Sequence, residues 1–150
     1  MISICLFVAG SLRASLPTTE LVVAWDHSVE KTRWEERYRV DGRDLRLVEA
    51  RIRSFGAGME PPADARLVNG WWTWRPKNRR LARLRLTAST FTRDYDLCWS
   101  DRCSPLRRLI GERPPPSDAA AGGPTDDEGT VVELMRCDRL PSKAGFSRRR

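Results

Sequence analysis

Hydrophobic residues recur at every second position along several segments of the chain. In the clearest segment, Trp34, Glu36, Tyr38 and Val40 alternate with charged residues at positions 33, 35, 37 and 39. A period of two is the signature of a β-strand with one face towards a core and the other towards water. The alternation therefore predicts a strand whose apolar face carries one carboxylate, that of Glu36.

Other segments repeat this pattern and are separated by residues that favour turns. Asp41-Gly42 and Asn69-Gly70 supply the positive φ angles that tight β-turns require. Strands are predicted near residues 4–8, 21–25, 45–53, 67–74, 81–87, 95–99 and 131–135, and a short helix at 105–110. The fold class is mostly β: a single-domain antiparallel β-sandwich or barrel with about eight or nine short strands and at most one short helix.

Composition divides the chain into four parts. Residues 113–130 are rich in Pro, Ala, Gly and acidic residues and contain no large apolar residue, so burial cannot offset the entropy lost on ordering them. We expect a main β domain at 2–112, a flexible loop at 113–130 and a final strand at 131–137 that returns to the domain. A disordered basic tail is expected at 141–150.

The formal net charge of +7 raises the question of an anionic partner, and four of the positive charges lie in the last eight residues. A second basic stretch, 75–85, follows Trp71, Trp72 and Trp74. Arginines beside aromatic rings are typical of single-stranded nucleic-acid binding. However, Trp72 and Trp74 would share one strand face, which favours a core position. Weak nucleic-acid binding through 75–85 is therefore kept only as an alternative.

The compartment depends on the N-terminal segment and on the cysteines. No apolar run reaches the ~18 residues that a membrane-spanning helix needs. Ile2–Ala9 is short, has no basic residue before it and is followed by Arg13, which favours a strand over a signal segment. The protein is expected in the cytoplasm if Met1 is the true start and this strand is intact. It is expected in the periplasm or cell envelope if the cysteines are oxidised.

Four cysteines are present, and four residues separate Cys98 from Cys103. This spacing permits a disulfide in an oxidising compartment, and buried thiols fit the sequence equally well. The chain has a single histidine and no Cys-x2-Cys spacing, so the sequence contains no zinc-ligand set. No metal and no cofactor are predicted.

The segment 25–31 holds the residues of most chemical interest. His27 precedes Ser28, and Glu30 follows three positions after the histidine. Imidazole titrates near neutral pH and is a natural general base. On a strand, however, neighbouring side chains point to opposite faces, so His27 and Ser28 would not form a nucleophile pair. No catalytic residue is therefore predicted, and a hydrolase or metal-dependent enzyme centred on His27 with Glu30 or Glu36 is the alternative.

Two further features have both a structural and a binding interpretation. Glu36 lies on the apolar side of its strand between Trp34 and Tyr38, and a buried salt bridge to an arginine is expected there. Gly56 and Gly58 flank a single alanine and can expose backbone N–H groups to an anion. A tight turn that needs positive φ angles is the more usual role for such glycines.

Several of these motifs together resemble a bacterial family known as domain of unknown function 1850. The resemblance rests on residues 25–31, Trp34-Glu35-Glu36, the Gly-Ala-Gly-Met-Glu-Pro-Pro run at 56–62, residues 70–74, and the positions of Cys98, Cys103 and Cys137. It covers about residues 2 to 137.

The resemblance implies a role without assigning an activity. Members of that family are often encoded beside TRAP-type transporters. It therefore suggests a non-enzymatic accessory or ligand-binding domain, with a transporter component or its small-molecule ligand as partner. The family motifs correspond here to the candidate ligand-binding residues His27, Ser28, Glu30, Glu36, Gly56 and Gly58.

Overall fold

The computed structural model describes residues 2–26, 32–53, 60–77, 79–89, 93–112 and 129–138. The strands are β1 (Ile4–Val8), β2 (Ser11–Leu16), β3 (Glu20–Asp26), β4 (Arg33–Asp41), β5 (Asp44–Ile52), β6 (Arg66–Val68), β7 (Trp71–Trp74), β8 (Arg80–Leu81), β9 (Leu84–Ala88), β10 (Asp96–Trp99), β11 (Arg102–Pro105) and β12 (Thr130–Arg136). One short helix, α1 (Leu106–Leu109), follows β11.

Two antiparallel sheets pack against each other as a β-sandwich. The smaller sheet has the strand order β2-β1-β12-β9, and the larger has the order β11-β10-β3-β4-β5-β7-β6, with β8 beside β5. Because β12 lies between β1 and β9, the smaller sheet joins the first and last described segments of the chain. The prediction of a mostly β, single-domain sandwich is confirmed, and neither sheet, as far as its residues are described, closes into a barrel.

The core between the sheets is mainly aliphatic. Ile4, Leu6 and Leu134 of the smaller sheet and Leu21 and Leu45 of the larger sheet are fully buried. Burying one such side chain contributes about 1.5–3 kcal/mol to the free energy of unfolding, so these aliphatic side chains hold the two sheets together. All six tryptophans are only half-buried, which places them at the margins of the core and not at its centre.

The single helix closes the core beside the larger sheet. Leu106 and Ile110 are buried against the two sheets, and Gly111 follows with a φ of 80°. A glycine in this left-handed conformation is the usual helix terminator. The helix that the sequence predicts at 105–110 is confirmed.

The structure has twelve strands in its described residues, more than the sequence predicts. The additional strands are β2, β8 and β11. β2 and β11 lie at sheet edges and are largely exposed, and β8 has only two residues. Exposed edge strands bury no continuous apolar face, so they lack the alternation by which strands are predicted.

A β-bulge explains why the alternation of β5 is irregular. The register between β4 and β5 shifts at Arg37/Tyr38, so that Val48 has no partner of its own. Buried residues therefore change from odd positions, Leu45 and Leu47, to even positions, Ala50 and Ile52. One extra residue is enough to exchange the two faces of a strand.

Two disulfides pair all four cysteines. Cys98 and Cys103 lie directly opposite each other on β10 and β11 and are bonded. Cys5 of β1 is bonded to Cys137, immediately after β12, across 132 positions of sequence. Two of the smaller sheet's neighbouring strands are thus linked covalently. Within the described residues, no helix has the length and apolar character needed to cross a membrane.

Candidate functional site

Aromatic side chains line the inner face of the larger sheet at one of its ends. Antiparallel pairing places Trp25 of β3 opposite Trp34 of β4, and their rings stack with centroids 5.9 Å apart. Tyr95 meets Trp25 edge-on at 5.9 Å, and Trp74 of β7 meets Trp34 edge-on at 6.1 Å. We call Trp25, Trp34, Trp74 and Tyr95 the aromatic cluster.

The aromatic cluster extends from the edge of the core to the protein surface. Trp25 and Tyr95 pack against the core, and all four rings are half-buried. The smaller sheet has four strands and the larger has eight. The larger sheet therefore offers more inner face than the smaller sheet can cover. Half-buried aromatic faces of this kind are typical of ligand sites.

Glu36 brings a carboxylate to the same face. It pairs with Val23 across the β3–β4 ladder, one alternation step from Trp34. Its carboxylate accepts a hydrogen bond from the hydroxyl of Tyr38, which is buried. A salt bridge to an arginine is expected here, but no arginine in the part of the chain that the structure describes lies within ion-pair distance of Glu36. The hydroxyl of Tyr38, two residues further along the same face of β4, is the hydrogen-bond partner of the carboxylate instead.

The two tyrosines of the site keep their protons near neutral pH. Burial, together with the hydrogen bond to Glu36, raises the pKa of Tyr38 far above its ordinary value. Burial and the charge of Glu36 also raise the pKa of Tyr95. Tyr38 therefore remains a hydrogen-bond donor to Glu36, and neither phenol can act as a general base at neutral pH.

One buried polar atom of the aromatic cluster has no described partner. The indole Nε1 of Trp34 is inaccessible to water and donates no hydrogen bond among the described residues. Buried N–H groups are almost always paired because an unpaired one costs about 1–3 kcal/mol. The Trp34 indole N–H is thus an unpaired donor among the described residues, on the strand that also carries Glu36, and solvent does not reach it.

The structure places only one of the family-motif residues. Glu36 lies beside the aromatic cluster, whereas His27, Ser28, Glu30, Gly56 and Gly58 are outside the described residues. The ends of the described strands relate these motif positions to the aromatic cluster. β3 ends at Asp26, β4 begins at Arg33 and β5 ends at Ile52, and all three points lie at the end of the larger sheet that carries the aromatic cluster. Chain positions 27 and 54 follow closely after these ends.

The outer face of the larger sheet carries a ladder of ion pairs, as the alternation of β4 predicts. The N–O distances are 2.6 Å for Arg39–Glu20, 3.1 Å for Arg37–Glu49 and 2.5 Å for Arg51–Glu35. Beside this ladder, β3, β4 and the β10–β11 hairpin line an open groove of about 610 Å³. Two of its charged residues, Glu20 and Arg37, are already paired with Arg39 and Glu49 of the ladder, which leaves them less free to bind a ligand.

The basic segment 75–85 is divided between the two sheets. Arg80 pairs with Asp41 on the larger sheet at 2.7 Å. Arg83 and Arg85 both contact Glu133 of the smaller sheet, at 2.8 and 3.6 Å. These arginines therefore do not form a single strip beside Trp72 and Trp74, whose pairing with Ile52 and Ala50 places them on the inner face.

Sequence reasoning missed most of this constellation. The Tyr38–Glu36 contact could be predicted from the sequence, because residues two apart on a strand share a face. The stacking of Trp25 on Trp34 could not be predicted in this way, because it depends on the register between two strands. No group of three or more His, Cys, Asp or Glu side chains among the described residues is placed to hold a metal ion.

Comparison with known proteins gives one match. A search of curated proteins and a search of solved structures each found nothing similar. A family model matches residues 21–106, which include almost all of the larger sheet and Glu36. The resemblance noted from the motifs extended further, to both ends of the smaller sheet. The chain belongs to the family described as Domain of unknown function (DUF1850).

Proposed function

We propose that this protein is a non-enzymatic ligand-binding domain whose site is formed by the aromatic cluster and Glu36. The observation that carries the proposal is the carboxylate of Glu36 on an inner sheet face, held by the Tyr38 hydroxyl and flanked by half-buried rings. Apolar surface with a few fixed polar groups is the usual composition of a small-molecule site.

The chemistry of these residues favours an organic cation as ligand. The faces of tryptophan and tyrosine rings attract cations, and the attraction is strongest where water is excluded. The carboxylate of Glu36 adds a formal negative charge on the same face.

The family resemblance suggests a setting for such a domain. We propose that it is an accessory of a TRAP-type transport system, in which the partner is a transporter component or its small-molecule ligand. His27, Ser28, Glu30, Gly56 and Gly58 are proposed to complete the site, because segments 27–31 and 54–59 follow strands that end beside the aromatic cluster.

A hydrolase or metal-dependent enzyme centred on His27 is the second candidate. It is favoured by the position of Glu36 on β4, next to the strand that leads to His27. Elemental analysis of the purified protein tests the metal version. Bound metal that is lost in a His27→Ala variant would support the enzyme and count against a purely binding role.

The binding proposal is tested by NMR of the indole N–H groups. Choline serves as an organic cation, with acetate and glucose as anionic and neutral probes. We expect choline to shift the Trp34 resonance, and Glu36→Gln to weaken this binding by about tenfold or more, because one charge contributes at least 1.4 kcal/mol in a half-buried site. Glu49→Gln, on the opposite face of the same sheet, is the matched control. Equal choline affinity in both variants would contradict the proposal.

A further inference from the structure

The hairpin formed by β6 and β7 is the most exposed apolar part of the larger sheet. Leu67 and Val68 of β6 are 59% and 51% exposed. β6 lies at the sheet edge, and its only strand partner in the described chain is β7. The side chains of this hairpin therefore project beyond the body of the sandwich.

The tip of this hairpin is apolar on both faces. Leu67 pairs with Trp72, which is on the inner face, and Val68 pairs with Trp71 on the outer face. The two strands are joined at Asn69-Gly70, where both φ angles are positive, as in the tightest hairpin turns. We call Leu67, Val68 and Trp71 the hairpin tip.

Arginines surround the hairpin tip. The guanidinium groups of Arg51 and Arg53 lie 4.2 and 5.2 Å from the centroid of the Trp71 ring. Arg66 begins β6 and is exposed. Arg51 pairs with Glu35, but within the described residues neither Arg53 nor Arg66 lies within salt-bridge distance of a carboxylate.

The sequence around the hairpin has the same charge bias. The stretch 65–93, which contains β6 and β7, holds eight of the 27 Lys and Arg residues of the chain and none of its 20 Asp and Glu residues. Because Arg80, Arg83 and Arg85 are paired with carboxylates on the two sheets, the attraction of an anionic surface to the hairpin rests on Arg53 and Arg66.

We propose that the hairpin tip inserts into the surface of an anionic lipid bilayer. Insertion would bury Leu67, Val68 and Trp71 at the boundary between headgroups and acyl chains, while Arg53 and Arg66 contact lipid phosphates. Tryptophan and arginine are suited to this depth, because each joins an apolar body to a polar end.

The shape of the tip favours a bilayer over a protein partner. A protein surface can cover one face of a two-stranded ribbon, whereas fluid lipid surrounds both faces, and here both are apolar. Insertion would be shallow, because the outer edge of β6 has no strand partner in the described chain and its backbone groups would need headgroups or water. This proposal does not depend on the ligand proposed above.

The test is flotation of the full chain with vesicles. One set is phosphatidylcholine alone, and the other is an equimolar mixture with phosphatidylglycerol. We expect binding to the anionic vesicles, reduced about tenfold or more by Leu67→Ser with Val68→Ser, because transfer of both side chains to lipid is lost. The matched control is Leu12→Ser with Val131→Ser: those side chains are 57% and 49% exposed on the smaller sheet, and their replacement should leave binding unchanged.

A charge variant keeps the proposal testable if the serine variant fails to fold. Arg53→Gln with Arg66→Gln should weaken vesicle binding about fivefold for each arginine. Arg102→Gln with Arg108→Gln removes the same net charge from exposed positions on β11 and α1 and should have a smaller effect. Rising salt should weaken the binding of the unmodified protein.

Three results would overturn the proposal. The first is an absence of flotation with either vesicle set. The second is equal binding by the hairpin and control variants. The third is a dimer in sedimentation velocity that Leu67→Ser with Val68→Ser dissociates, which would assign the hairpin tip to a second copy of the chain.

Discussion

Glu36 and Tyr38 are two residues apart on one face of β4, and a hydrogen bond joins their side chains. A carboxylate on an inner sheet face must replace the hydrogen bonds that water would supply. The hydroxyl of Tyr38 replaces one of them. The same contact holds the phenol in its protonated form, because ionisation would place two negative charges side by side.

The two tyrosines make the stability of the fold depend on pH in the alkaline range. The pKa of Tyr38 is raised mainly by burial, and that of Tyr95 is raised for the same reason. The folded protein therefore holds protons that the unfolded chain releases above a pH of about 10. The stabilisation is complete below that pH and is lost as the pH rises further, because the unfolded state then binds fewer protons.

A titration that follows the absorbance of phenolate as the pH is raised through the alkaline range checks this prediction. The chain has two tyrosines, so the signal has only two sources. We expect less phenolate in the folded protein than in urea at the same pH, and a lower urea midpoint above that pH. Tyr38→Phe should remove most of the difference between the two titrations. Ordinary titration of both tyrosines in the folded protein would be inconsistent with the buried Tyr38–Glu36 contact.

At the scale of elements, the clean alternation of β4 allows its faces to be assigned from sequence, whereas β5 cannot be assigned in this way. The bulge at Val48 exchanges the faces midway along β5, and nothing in the local pattern marks its position. The candidate site shows the same limit. The position of Glu36 follows from alternation within one strand, but the aromatic cluster depends on registers between β3, β4 and β7.

Gly129, at the entry to β12, has a positive φ and little room for a side chain. Its φ is 72°, and a Cβ there would lie 2.9 Å from Cγ2 of Thr87 and 3.0 Å from the carbonyl oxygen of Ala88. Gly129→Ala should therefore cost more than the strain of a left-handed residue, which is about 1–2 kcal/mol. The clash with β9 backbone should add about 1 kcal/mol or more.

Gly42 provides the comparison for this substitution. It also has a positive φ, 62°, but nothing lies within 4 Å of the position of its Cβ. Gly42→Ala should show the backbone strain alone. Urea denaturation of both variants measures the difference, and an equal loss of stability would mean that β12 shifts to accommodate the methyl group at no cost.

At the scale of the whole molecule, the two sheets differ in how far the sequence predicts them. The larger sheet is built largely from strands that follow each other in the chain, such as β3, β4 and β5, and hairpin turns such as Asp41-Gly42 indicate such neighbours. The smaller sheet places β12 between β1 and β9. Pairing of strands so distant in sequence depends on tertiary packing, which local patterns do not encode.

The two disulfides close loops of very different length. Cys5–Cys137 closes a loop across 132 positions and Cys98–Cys103 closes one across 5. On the chain-entropy account, the long loop contributes about 5 kcal/mol and the short loop about 2 kcal/mol. A small domain has a total stability of about 5–15 kcal/mol, so loss of the long-range bond alone should remove about a third or more of the free energy of unfolding.

Paired replacements separate the two contributions. Cys5→Ala with Cys137→Ala should lower the free energy of unfolding more than Cys98→Ala with Cys103→Ala, as measured in urea without reductant. The unmodified protein should show no reactive thiol when denatured without reductant and four after reduction. A larger loss from the hairpin pair would contradict the loop argument, and free thiols in protein from its native host would contradict the pairing itself. Full oxidation would mean that the protein folds in an oxidising compartment, because its smaller sheet relies on a bond that reducing conditions would remove.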